Sequence, residues 1–166
     1  KAISLKPDYT EAHNNLGTAL QDLGRLDDAV VSYKMALKLN PDYAEAHYNL
    51  GNCLLDMEKL DEAIASYRKA LGLKPDYAEA HHNLGITLGE LGNPEEAVAS
   101  YRKALALKPE YAEAYNNMGL ALRAPGKLEE AMASYHKALA VKPEYAEVHI
   151  NLGVALQALG RPEEAM

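Results

Sequence analysis

Five asparagines, Asn15, Asn49, Asn83, Asn117 and Asn151, stand 34 residues apart in a chain of 166. A primary amide carries both a donor and an acceptor. A row of them can therefore pair with the N–H and C=O groups of an extended backbone without reading its side chains. Asn14, Tyr48, His82 and Asn116 each precede one of these asparagines, and Asn52 follows Asn49 by three residues, so further polar groups join the row. Acids share the periodicity. Glu11, Glu45, Glu79, Glu113 and Glu147 come before the asparagines, and Asp22, Asp56 and Glu90 come after them. Arg123 is the clear opposing charge in the set. Such a surface favours a basic or neutral peptide over an acidic one.

Histidine recurs in the same way, at His13, His47, His81 and His149. One ring per repeat places successive imidazoles too far apart to share a metal ion, so these positions read as partly buried packing spacers. His81 and His82 are adjacent, and neighbours on a helix point to different sides. Cys53 lies between Leu50 and Leu54 and reads as a small buried filler. No glycine-rich phosphate loop, nucleophile–base motif or paired acids in a pocket can be found. Neither catalytic residues, a metal nor a cofactor is expected, and the chain is not expected to be an enzyme.

The elements that carry these residues follow from the same period. Pro7, Pro41, Pro75, Pro109 and Pro143 are also 34 apart, and PDYAEAH-x-NLG stands at Pro41–Gly51 and again at Pro75–Gly85. A strict period of this size marks a stacked array of one supersecondary unit, which offers a long surface in place of a single pocket. In one unit, Asp42-Tyr43-Ala44-Glu45 reads as a capping box. Helix A follows from about Tyr43 to Met57, with Ala46, Leu50, Cys53 and Leu54 at helical spacing. After a short turn, helix B begins near Asp61-Glu62, acids suited to the positive end of its dipole, and ends at Lys74 because Pro75 cannot continue it. Antiparallel helices of roughly four turns result, with no strand signal.

Glycine inside a helix costs about 1 kcal/mol relative to alanine, yet Gly17, Gly51, Gly85, Gly119 and Gly153 all sit there. Close approach of helix B explains them, with Ala29, Ala63, Ala97 and Ala131 expected opposite. Tyr33, Tyr67, Tyr101 and Tyr135 of helix B should fill the core with the hydroxyl reaching outward. Tyr9, Tyr43, Tyr77, Tyr111 and Tyr145 should wedge between adjacent repeats. Met57-Glu58 replaces the Leu-Gly or Pro-Gly of other turns, so that turn should be more strained. Pro125 should stop its helix by about Arg123, whereas Pro94 and Pro162 suit a first helical position.

These residues resemble the tetratricopeptide repeat (TPR) family over the whole chain. The family's large residue, Leu-Gly, Ala, aromatic, Ala and Pro read here as His47, Leu50-Gly51, Ala63, Tyr67, Ala70 and Pro75. The next repeat gives His81, Leu84-Gly85, Ala97, Tyr101, Ala104 and Pro109. Histidine or tyrosine replaces the tryptophan that the family often carries first. The resemblance implies an all-α, right-handed α-solenoid whose helix A faces line a concave groove. It places the end of a preceding helix B at 1–9, repeats at 10–43, 44–77, 78–111 and 112–145, and a partial repeat at 146–166. It also implies a protein-interaction module or scaffold that binds a peptide in the groove. The asparagine row is similar to the ladder in TPR arms of O-GlcNAc-type glycosyltransferases, so a substrate-docking arm of a larger enzyme is the alternative. Chaperone-tail binding is not expected, because the clamp positions Asn14, Thr18, Tyr48, Asn52, His82, Ile86, Asn116 and Leu120 hold no basic residue.

Along the row, Thr18, Asn52, Ile86, Leu120 and Val154 pass from polar to apolar, and Ile150 extends the apolar end. A net charge of -7 argues against nucleic acid as a partner. No apolar run approaches a membrane span, and one cysteine fits a reducing, cytoplasmic setting. The broken units at the two ends should complement each other, giving head-to-tail self-association at high concentration.

Overall fold

The structure, a computed structural model, describes residues 6–123 and 126–160. Among them are nine helices and no strand. They are α1 (Lys6–Asp22), α2 (Leu26–Leu39), α3 (Ala44–Asp56), α4 (Leu60–Leu73), α5 (Ala78–Glu90), α6 (Pro94–Leu107), α7 (Ala112–Ala121), α8 (Leu128–Val141) and α9 (Ala146–Ala158). The all-α class and the alternation of helices A and B are as the period predicts. The chain divides into two compact units, one running to Thr87 and one starting at Leu88. In the first, α1 packs on α2 and α3 on α4, while α3 also touches α1 and α2. In the second, α7 packs on both α6 and α8, and α8 packs on α9.

Helix starts differ from the expected capping box. The N-cap of α3 is Tyr43, one residue beyond Asp42, and no side chain caps it. Asp42 instead donates its backbone N–H to Asn40 Oδ1 at 3.2 Å, and Glu45 pairs with Lys74 at 3.5 Å. The Asp42 backbone thus closes the turn and Glu45 ties the start of α3 to the residue that follows α4, while the first turn still gains from Glu45 near the positive end of the dipole. α1 begins at Lys6, ahead of the position equivalent to Ala44, with Pro7 in its first turn where a missing N–H is tolerated.

At Gly17, Gly51 and Gly119 the close approach is to tyrosine, not to alanine, while a Cβ on Gly153 would meet nothing within 4 Å among the described residues. A Cβ on Gly17 would stand 2.6 Å from the Tyr33 ring, and one on Gly51 would stand 2.6 Å from Tyr67. Gly119 meets Tyr135 in the same way. Each ring lies across the glycine of its own helix A, in a core lined by fully buried Ala29, Ala63 and Ala131. The hydroxyls turn toward helix A as well. Tyr33 Oη donates to Thr18 Oγ1 or Gln21 Oε1, at 3.3 and 3.0 Å, and Tyr67 Oη donates to Asn52 Oδ1 at 2.8 Å. Tyr9 does not wedge at all and is exposed, whereas Tyr77 packs against Tyr48 with ring centres 4.7 Å apart and planes tilted by 39°.

The irregular turns behave as their residues require. Gly24, Gly92, Gly126 and Gly160 hold positive φ after their helices, and Glu58 takes the same conformation at φ 58°. Left-handed backbone costs an L-residue about 1–2 kcal/mol, part of which glycine returns as unfolded-state entropy. Glu58→Gly should therefore raise stability by about 0.5–1 kcal/mol, seen as a higher urea midpoint. An unchanged midpoint would show that this turn carries no strain. α7 ends at Ala121, short of Arg123, as expected from the proline that follows. Pro94 opens α6. Pro125 itself, Pro162 and the pairing of the chain ends lie outside the described residues.

Candidate peptide-binding surface

The helices A place the asparagine row on one side of each unit. In the first unit, Asn49 on α3 donates its amide N–H to Asn14 Oδ1 on α1 at 3.0 Å. Asn83 on α5 donates to Asn52 Oδ1 at 2.9 Å and to Tyr48 Oη at 3.2 Å. In the second, Asn151 on α9 donates to Asn116 Oδ1 on α7 at 3.0 Å, and Asn116 donates to Glu147 at 3.0 Å. Every one of these bonds joins a repeat to the one before it. At these positions the row is an inter-repeat ladder, in which an amide N–H is used internally, and among the described residues the Oδ1 atoms of Asn49, Asn83 and Asn151 accept no hydrogen bond. Asn15 lies exposed at the start of the row.

Burial separates the predicted residues into two groups. Asn14, His82 and Asn116 lie beneath the surface, where Asn14 and Asn116 act as acceptors for the ladder. Tyr48, Asn49, Asn52, Asn83, Asn117 and Asn151 are half-buried. Asp22, Asp56 and Glu90 are exposed. Asp56 accepts from Gln21 Nε2 at 2.6 Å, so one of its lone pairs is held while its charge stays at the surface. The apolar end is also presented to solvent, with Ile150 67% exposed and Val154 and Leu120 partly so.

The histidines lock turns. His47, His81 and His149 lie with Nε2 at 2.9, 3.0 and 2.8 Å from the carbonyls of Pro41, Pro75 and Pro143. A carbonyl can only accept, so Nε2 carries the proton in each ring. Cys53 is fully buried, its thiol directed at the Leu26 carbonyl at 3.4 Å. Burial, with Asp56 and Asp27 adding to it, raises the thiol pKa and keeps the sulfur protonated and inert. Among the described residues, no three His, Cys, Asp or Glu side chains could hold a metal ion. No described helix is long and apolar enough to cross a membrane.

Two features escaped sequence reasoning. Lys74, Lys108 and Lys142 lie over the rings of Tyr77, Tyr111 and Tyr145 at 4.4, 4.6 and 4.5 Å, so the Lys-Pro-x-Tyr spacing was a readable cation–π signal. Gln21 joins the surface through both Tyr33 and Asp56, and nothing in its spacing marks it.

Family models described as tetratricopeptide repeat match residues 5–78 and 66–99, and one described as TPR repeat matches 88–124 and 119–160. A crystal structure of MamA is 30% identical over 90% of this chain and 87% of that one, with a TM-score of 0.86. A second structure of MamA protein is 28% identical over 96% and 87%, with a TM-score of 0.89. The crystal structure of YrrB, described as a TPR protein with an unusual peptide-binding site, is 27% identical over 100% and 86%, with a TM-score of 0.83. The search of curated proteins finds no match.

Proposed function

The chain belongs to the tetratricopeptide repeat family, whose fold serves as a protein-interaction module, and from that premise we propose that it holds an extended peptide of basic or neutral character. In this reading the peptide lies along α1, α3 and the start of α5 in the first unit, or along α7 and α9 in the second. The observation that carries the reading is the ladder. Its inter-repeat bonds fix each amide plane and leave the carbonyl oxygens as a row of acceptors for backbone N–H groups. Preorganised side chains lose little entropy on binding, which favours their use as a clamp. Exposed Asp22, Asp56 and Glu90 supply the charge preference. The peptide site reported for YrrB, a protein of similar architecture, also supports a peptide as the partner. The repeats run 10–43, 44–77, 78–111 and 112–145 in this reading.

The test is a peptide array probed with the unaltered protein, with Asn15→Ala and with an Asn49→Ala/Asn83→Ala/Asn117→Ala variant. Asn15 makes no hydrogen bond among the described residues and is exposed, so its loss should leave the thermal midpoint unchanged. The triple variant should lose about tenfold or more of its binding to unrelated basic peptides. Equal binding by all three proteins would return the asparagines to a purely structural role.

A further inference from the structure

Away from the ladder, the first unit carries a crevice of about 610 Å³ between α2, α3 and α4. Its apolar lining is buried Leu50, half-buried Leu37 and exposed Leu73, and exposed Lys34 and Lys69 join it from two different helices. This volume falls in the range of binding clefts, and a mainly apolar lining with a few charged groups is their usual make-up. Gly72 opens the crevice, since it occupies the place held by Lys38, Ala106 and Ala140 in the other repeats. Asp42 is the one carboxylate on the wall.

The second unit contains the same crevice at positions 68 residues on, and it serves as an internal control. Arg102, Leu105, Ser134 and Lys137 replace Lys34, Leu37, Ser66 and Lys69. That copy is smaller, about 380 Å³, and both of its cations are engaged. Arg102 pairs with Glu130 at 3.4 Å, and Lys137 lies 5.7 Å from the centre of the Tyr115 ring. Tyr115 stands where the first copy has the smaller His47. In the first copy His47 is turned to the Pro41 carbonyl at 2.9 Å, and no ion pair or ring contact among the described residues holds Lys34 or Lys69.

We propose that the crevice between α2, α3 and α4 is a second docking site, which takes a short acidic protein segment by burying one aliphatic side chain against Leu37, Leu50 and Leu73 and pairing flanking carboxylates with Lys34 and Lys69. Charge complementarity selects this occupant. Two free ammonium groups on an otherwise acidic chain attract carboxylates, and the apolar lining requires an apolar anchor between them. The site differs in location and in charge preference from the ladder, so neither reading depends on the other.

The probe is a labelled, amidated peptide with one leucine between aspartates in a Gly-Ser background, followed by fluorescence polarisation at low salt. Gly72→Leu places a branched side chain at the crevice, at a position where an added Cβ meets nothing within 4 Å. Its unaltered circular dichroism and thermal midpoint are the control. Gly72→Leu and Lys34→Glu/Lys69→Glu should each weaken binding about tenfold. Asn15→Ala should bind as the unaltered protein does, and peptides with the aspartates changed to asparagine or the leucine to alanine should bind weakly. Undiminished binding to Gly72→Leu, equal binding of the asparagine peptide, or no binding by the unaltered protein would overturn the proposal.

Discussion

Replacing Gly51 by valine should lower the unfolding free energy by about 3 kcal/mol, seen as a fall in the urea midpoint at unchanged slope. Even the first added carbon would stand 2.6, 2.8 and 3.0 Å from three atoms of the Tyr67 ring. That ring cannot move aside, because it is fully buried and its hydroxyl is held by Asn52 at 2.8 Å. α3 must therefore retreat from α4, which opens voids along their shared core. Gly51→Ala should lose less, because a gain of about 1 kcal/mol in helix propensity offsets part of the clash. Gly72→Ala is the control, with open space at its Cβ and an expected gain of up to about 0.5 kcal/mol. A Gly51→Ala protein as stable as the unaltered one would show that the ring yields cheaply, and would end this account of the helical glycines.

Tyr135→Phe should stabilise the protein by about 1 kcal/mol, whereas Tyr67→Phe should destabilise it by a similar amount. The two tyrosines occupy equivalent places, and both are fully buried. Tyr67 reaches Asn52, but the matching position before Tyr135 is Leu120, and the Tyr135 hydroxyl has no partner among the described residues. A buried hydroxyl without a partner costs about 1–3 kcal/mol, which phenylalanine avoids with little change of shape. Urea denaturation of the two variants reads the opposite signs directly. Equal losses in both would show that Tyr135 finds a partner in solution.

The same substitution has an alkaline signature. Burial pushes the Tyr135 phenol up to about 12, with Arg123 opposing and Glu147 adding to the rise. An unfolded tyrosine ionises near pH 10, so the unfolded state sheds its proton first. The stability gained by keeping the phenol neutral is whole below about pH 10 and is lost as pH rises toward 12. Tyr135→Phe should make that loss shallower without abolishing it, because burial also raises Tyr77 to about 12 and lifts Tyr101.

The repeat, the helices and their order were legible because each depends on nearby residues. Proline ends helix B, apolar spacing sets its inner face, and a proline such as Pro94 can begin a helix without a hydrogen-bond penalty. The strained turn at Glu58 was legible for the same reason, as a missing glycine where left-handed backbone is needed. Capping was less legible. Asp42 has the right chemistry for an N-cap, but the turn after Pro41 delays the helix to Tyr43 and gives Asp42 another task.

What the sequence determined by itself is therefore local and periodic: an all-α chain of 34-residue units, carrying one asparagine per unit on helix A. The tertiary structure alone decided where each amide's hydrogen bond goes, because the partner of Asn49 lies 35 residues away and is reached only once repeats stack. It likewise decided that glycine faces a tyrosine ring, that Tyr135 is left without an acceptor, and that one of two equivalent crevices keeps its cations free. Near-identical repeats share a backbone but differ at single positions such as Leu120 and Tyr115. The consequence of each difference depends on what the next helix places against it.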